Sequence, residues 1–165
     1  MNFVGIARTD AWKEEGWSIP ATVEEMLSVY GDFNDHVQAI IRSTPSGRLF
    51  KWALFDRDPL PQWTKGRVTL LGDAAHPMLP FLGMGAAMGL EDGAILGRCV
   101  EAAAGLDEAI ARYEKARKER TTMVLLNSRK QGEIYQSDDP ARMRGQTSGE
   151  LRLGLFHYNV KTVPV

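Results

Sequence analysis

Apolar positions change period several times along the chain, and each change marks an element. Asn2–Ala7 is a mostly apolar run without helical period and predicts a buried strand, with no turn or cap material before it. Trp12–Pro20 is a charged loop carrying Trp12 and Trp17. Thr22 with Glu25 three residues on forms a capping-box pattern, so a helix should run from there to about Tyr30 and stop at Gly31. Phe33, Val37, Ile40 and Ile41 recur at helical spacing and predict a second short helix. Leu49–Phe55 mixes aromatic and aliphatic residues as a half-buried strand does, and Asp56–Trp63, with Pro59 and Pro61, predicts an extended connector.

Downstream the pattern sharpens. Arg67–Leu71 predicts a short apolar strand ended by Gly72-Asp73, and Ala74–Leu82 a loop with Pro77 and Pro80. Gly83-Met84-Gly85 opens a helix to about Ala104. A longer helix follows from Asp107 to about Tyr135, with Ile110, Tyr113, Met123 and Val124 on its buried side. Ser137-Asp138-Asp139-Pro140 should cap one more helical or irregular segment, since proline suits a first turn. The elements add up to a mixed α/β (α+β) fold.

Composition narrows the function class. With 44% apolar and 25% charged residues over 165 positions, the chain is ordinary for a globular protein. A net charge of -1 supplies no basic field, so nucleic acid is not expected as a partner. The single Cys99 excludes an internal disulfide framework and a cysteine zinc site, and fits a reducing cytoplasm. No apolar run reaches the roughly 20 residues that span a bilayer, and the first ten residues, with Gly5 and Arg8, lack a signal-peptide core.

The chemistry concentrates between Leu70 and Gly97. A strand ending in Gly72-Asp73 would put a carboxylate at the carboxyl edge of a sheet, where it can accept hydrogen bonds from ligand hydroxyls. Gly83 and Gly85 at the helix mouth let backbone approach a ligand, and the helix start offers unpaired N–H groups with partial positive charge. Gly85, Gly89, Gly93 and Gly97 recur every four residues, at a cost of roughly 1 kcal/mol each in helix propensity. Packing of another backbone element accounts for Gly89, Gly93 and Gly97, and ligand approach for Gly83 and Gly85. The spacing is not the dinucleotide fingerprint, because Met88 occupies the position of its third glycine.

The run Gly66-Arg67-Val68-Thr69-Leu70-Leu71-Gly72-Asp73-Ala74-Ala75-His76-Pro77-Met78-Leu79-Pro80, then Gly83-Met84-Gly85-Ala86 and Leu90-Glu91-Asp92-Gly93, resembles the second FAD motif of class A flavoprotein aromatic monooxygenases. These share the p-hydroxybenzoate hydroxylase fold, and the salicylate hydroxylase-like and 6-hydroxynicotinate 3-monooxygenase-like members are nearest in pattern. Asp56–Trp63 resembles the family's linker before this strand. Ala109, Tyr113-Glu114, Arg117 and Arg120 resemble its following helix.

The resemblance implies that Asp73 binds a hydroxyl of the FAD ribityl chain with Gly72 beside it in the cofactor site, that Pro80 sits beside the flavin ring on the substrate side, and that backbone N–H groups of Gly83, Met84, Gly85 and Ala86 face the electron-rich edge of the ring. It implies FAD as cofactor, NAD(P)H and oxygen as co-substrates and a small aromatic substrate. Met84 stands where many relatives carry glutamine. Neither the family's GxGxxG unit nor its middle motif is present, so the chain corresponds to the end of the substrate-binding domain (1–62) and the final part of the FAD-binding domain (63–165). Alone it should bind FAD weakly, if at all. The alternative is a non-catalytic module that only folds, forms a homodimer or complements a chain supplying the N-terminal half.

No catalytic residue stands out. His76 and Pro80 are the nearest candidates, with His76 better read as ordering its loop; His36 and His157 have no partner pattern. Glu91-Asp92 near the helix start reads as favourable to its dipole. Arg112, Arg117, Lys118 and Arg120 alternate with Glu114 and Glu119, including an i,i+4 pair Glu114–Lys118, and read as a solvated helix face. Phe50, Trp52 and Phe55 could line a substrate pocket or pack in a core. Cys99 reads as a small core residue.

Overall fold

The computed structural model describes residues 2–9, 12–144 and 153–165. It divides into two compact units, Met1–Leu54 and Phe55–Val165.

In the first unit, β1 (Ile19–Pro20) pairs antiparallel with β2 (Phe50–Lys51), and two helices intervene, α1 (Val23–Tyr30) and α2 (Asp35–Arg42). The capping box forms as its residues predict: Thr22 Oγ1 accepts from Glu25 N–H at 3.1 Å, and Glu25 Oε2 accepts from Thr22 N–H at 2.9 Å. The same carboxylate pairs with Lys51 at 3.0 Å, fastening β2 to the start of α1. Asn34 caps α2 through Val37 N–H, and Gln38 donates to the carbonyls of Gly31 and Phe33, closing the turn between the helices.

Two strand expectations fail here. Asn2–Ala7 carries no regular structure, and Phe3, Val4 and Ile6 are exposed. An apolar run becomes a strand only when a neighbour takes up its N–H and C=O groups, and no described segment pairs with this one. Leu49–Phe55 shortens to Phe50–Lys51, because β1 offers only two residues to pair with; Phe50, Trp52 and Phe55 stay exposed.

In the second unit, β3 (Thr64–Lys65) and β4 (Val68–Thr69) form a hairpin across Gly66-Arg67, where Gly66 takes φ +60°. The expected strand Arg67–Leu71 is therefore two residues of a hairpin, and among the described residues no larger sheet edge receives Asp73. Instead Gly72–Ala74 turns as a 3-10 helix, and Pro80–Leu82 forms another. Helices α3 (Gly85–Ala102) and α4 (Leu106–Tyr135) follow, joined by a short loop that makes them packed neighbours. After α4, Asp139 Oδ1 accepts from Ala141 N–H and starts a 3-10 turn, Pro140–Arg142. What the expected segment does beyond it, over 145–152, lies outside the described residues.

The core lies along the α3–α4 seam. Met88, Asp92, Ile95 and Cys99 face inward from α3 at helical spacing; Ile110, Tyr113, Arg117, Thr121, Val124 and Ser128 do so from α4. Met123 is only half-buried. One apolar cluster gathers Trp63, Ala75, Ile95, Cys99, Ala109 and Tyr113, the other Leu82, Met84, Met88, Val124 and Leu155. The chain's end docks on the same seam: Arg98 donates to the carbonyls of Val160 and Val163, at 2.7 and 2.8 Å.

Asp56–Trp63 is an irregular connector tied to α4. Arg129 pairs with Asp56 and Asp58, Lys118 donates to the Pro61 carbonyl, and both Glu114 carboxylate oxygens accept main-chain N–H groups, of Trp63 and Thr64, at 2.9 Å.

Candidate functional site

The turn Gly72–His76 and the mouth of α3 are built by the local sequence. Gly72 holds φ +59°, a conformation that costs other L-residues roughly 1–2 kcal/mol, and its carbonyl accepts from both Ala75 and His76 N–H at 2.9 Å. Asp73 projects from this turn and is exposed. Arg57 donates to the carbonyls of Ala74 and Ala75 and holds the turn's far side. Pro80 is exposed at the start of its 3-10 turn, and Gly83 ends that turn at φ +64° with its N–H on the Pro80 carbonyl.

Met84 then occupies the N-cap of α3 without a side-chain cap bond. Its thioether side chain is buried with Leu82, Met88, Val124 and Leu155, so only its backbone is left for a ligand. A ligand-facing glutamine at this position would have to leave that cluster. Because α3 lacks a side-chain cap, the N–H groups of its first turn keep the positive end of the helix dipole uncompensated. Ala86, in that turn, is exposed.

Behind this surface lies a buried ion network. Asp92, 0% exposed, accepts from Gly72 N–H (2.9 Å) and His76 Nε2 (2.6 Å) with one oxygen and from Arg117 Nε (2.7 Å) with the other. Arg117, also 0% exposed, continues to Glu91 at 2.8 Å. Glu91 also takes a bidentate pair from Arg120, whose guanidinium stacks 3.9 Å over the Tyr158 ring. Burial alone pushes the Asp92 carboxyl up, but the hydrogen bonds from His76, Arg117 and Gly72 outweigh it and hold the group below its ordinary range. Burial, reinforced by the Asp92 charge, pushes the Tyr113 hydroxyl up; that hydroxyl donates to the Leu70 carbonyl at 3.2 Å.

The network corrects two sequence expectations. Arg117 is not on a solvated face: it fills the seam because Asp92 and Glu91 neutralise it, whereas Glu114–Lys118, at 3.9 Å, is the partly exposed pair that spacing predicts. Asp92 accepts from Gly72, His76 and Arg117 rather than serving the helix dipole. Both errors have one origin, since polar residues on a buried seam pair across helices and helical spacing alone cannot show the partner. His76 is buried, its ring against Trp63 and its Nε2 on Asp92; Nδ1 has no hydrogen-bond partner among the described residues.

The glycine row divides too. A Cβ on Gly89 would come 4.0 Å from the Gly72 Cα, and one on Gly85 the same distance from Met78. At Gly93 and Gly97 it would meet nothing within 4 Å, so no packing within the described residues explains them. They lie on the outer face of α3 with Leu90 and Val100, which are 77% and 52% exposed.

The family model described as "FAD binding domain" matches residues 34–128. The chain belongs to that family. It is similar to 6-hydroxynicotinate 3-monooxygenase of Pseudomonas fluorescens, 40% identical over 134 residues, which cover 80% of this chain and 33% of the relative. Among solved structures, a salicylate hydroxylase substrate complex is 29% identical with a TM-score of 0.75, covering 97% of this chain and 42% of that one. CtdE in complex with FAD and a substrate is 25% identical with a TM-score of 0.69, over 95% of this chain and 42% of that one. The chain thus spans well under half the length of the proteins it matches. The mixed fold is that of these FAD-dependent monooxygenases, with four α-helices and short strands among the described residues. No described helix is long and apolar enough to cross a membrane.

Proposed function

We propose that this chain carries the second FAD-contacting region of a flavin-dependent aromatic hydroxylase that uses NAD(P)H. The observation that carries the reading is the pairing of an exposed carboxylate, Asp73, on a pinned turn with a helix mouth shaped by Gly83 and left without a side-chain cap. In this reading Asp73 accepts from ribityl hydroxyls, Gly72 keeps side chains away from them, and Pro80 lies beside the ring. The N–H groups of Gly83–Ala86 stabilise negative charge at the ring's electron-rich edge. The donor set fits such a group, since it offers a hydroxyl acceptor, main-chain donors and a first turn of α3 with neither a side-chain cap nor an acidic residue. The chemistry bound FAD would supply is to take a hydride from NAD(P)H and pass one atom of dioxygen to the aromatic ring, the other leaving as water. The chain's own part is to orient the ring and hold its charge.

Met1–Gln62 then belongs to the substrate-binding domain and Trp63 onward to the FAD-binding domain. Asp56, Asp58 and Pro61 bond to α4, so the connector that ends the substrate-binding part is held on the FAD-binding side. The aromatic substrate approaches from the Pro80 side.

A titration of the chain with FAD, read by quenching of flavin fluorescence, tests the assignment. Quenching that Asp73→Asn weakens is the expected result. An Asp73→Asn variant that binds FAD as the parent does would overturn it.

The outer face of α3 supports a second reading, in which this chain complements a separate ADP-binding chain or pairs with its own copy. Leu90 and Val100 are the side chains such a partner would cover. Light scattering at rising concentration decides the homodimer; a chain that stays monomeric removes it.

A further inference from the structure

The geometry points to Asp92 as the residue that positions Asp73 against the mouth of α3, with His76 as its second hand. This inference rests on the flavin reading of the preceding subsection. Its starting point is that two separate pieces of backbone must be held in register: the Gly72–His76 turn, which presents Asp73, and the first turn of α3, which presents N–H groups. One side chain spans both. Asp92 sits on α3 itself, two turns below its start and about 10 Å along the axis from Gly85. Its Oδ2 takes the N–H of Gly72 at 2.9 Å and Nε2 of His76 at 2.6 Å, the two ends of the turn.

The turn is also closed on itself, because the Gly72 carbonyl accepts from Ala75 and His76. Movement of the Asp92 carboxylate therefore carries the whole turn and Asp73 with it. Arg117 Nε fixes the other oxygen at 2.7 Å, so the carboxylate cannot rotate without breaking a buried ion pair. A carboxylate only accepts, so the bond to it requires the proton on His76 Nε2. Asp92 touches neither hydroxyl nor ring in this arrangement; it acts through Asp73.

The test uses four variants of the whole chain, Asp92→Asn, His76→Leu, His76→Gln and Asp73→Asn, with two independent readouts. The first is amide hydrogen exchange at Gly72–His76, which needs no ligand. The second is FAD affinity by flavin fluorescence. An asparagine can offer its oxygen to Gly72 and His76 only by turning its NH2 onto Arg117 Nε, so Asp92→Asn breaks the buried pair that fixes the group; it should speed exchange of the Gly72 amide by about tenfold or more and weaken FAD by a similar factor. His76→Leu should do the same. His76→Gln, whose amide nitrogen reaches the position of Nε2, should restore both. Asp73→Asn should weaken FAD while leaving Gly72 exchange as it was.

Unchanged Gly72 exchange in both Asp92→Asn and His76→Leu would overturn the clamp. Faster exchange with unaltered FAD affinity would overturn its positioning role. If exchange responds as expected while Asp73→Asn binds FAD as the parent does, the clamp stands and the flavin reading falls. Because His76→Gln and Asp73→Asn keep the buried network bonded, unfolding of Asp92→Asn would still leave His76→Leu against His76→Gln to decide.

Discussion

Replacing Gly93 and Gly97 together by alanine should make this chain more stable, and the structure says by how much. Both lie inside α3, where glycine costs roughly 0.5–1 kcal/mol relative to alanine. A Cβ at either position meets nothing within 4 Å, so no packing penalty offsets the gain. The positions are one turn apart and share no partner, so their effects should add to about 1–2 kcal/mol. For the roughly 110-residue unit Phe55–Val165 that corresponds to a rise of roughly 4–8 °C in midpoint. Thermal unfolding followed by circular dichroism, with a urea series to confirm an unchanged m value, measures it. Gly89→Ala is the internal standard, since its Cβ would sit at an ordinary 4.0 Å from the Gly72 Cα. A fall in midpoint for the Gly93/Gly97 pair would refute the reasoning, because it would require a close neighbour on that face. The same pair should weaken association with whatever element covers α3, since two methyl groups would hold its backbone away.

Three further outcomes follow from particular contacts. Gly132→Ala should destabilise by about 1 kcal/mol despite its better helix propensity, because its Cβ would stand 2.5 Å from the Phe81 ring; the loss should shrink in a Phe81→Leu background, and a melt showing equal loss in both would contradict the clash. Thr22→Ala removes the cap on Glu25 N–H and should cost about 1 kcal/mol in the first unit. Faster amide exchange over 23–26 is the readout, and unchanged exchange would count against it. The Asp92 carboxyl is held below its ordinary value of 3.8, so it contributes stability that is present above that value and lost as pH falls through the lower folded one. The midpoint should therefore fall as pH drops from about 5 toward 3, with a smaller fall in Asp92→Asn; parallel curves would show that other carboxylates govern acid unfolding.

Local chemistry was legible in the sequence wherever it is settled by neighbours in the chain. The Thr22–Glu25 box and the stop at Gly31 follow from cap residues and both long helices from period, and all are present. The strands were not, because a strand is a property of two segments. Asn2–Ala7 has the right composition and no described partner, and Leu49–Phe55 pairs only as far as β1 reaches. The same distinction runs through the site. Gly72, Gly83 and Gly85 could be picked out by what glycine alone permits, and the two with positive φ carry the bends at either side of the loop. Asp92 and Arg117 could not, since each looks like a surface charge until the other is placed 2.7 Å away.

That difference bears on why the buried network is there at all. Replacing a buried ion pair with well-packed apolar residues is often neutral or stabilising, so stability alone is a poor reason to keep one. An apolar residue at position 92 could fill the seam, but it could not accept from Gly72 N–H and His76 at once. What the carboxylate adds is a fixed distance between a turn and a helix end, which apolar packing, having no directional bonds, defines loosely. The geometry of the candidate site therefore depends on the residues that sequence reasoning took for surface, more than on those it singled out at the mouth.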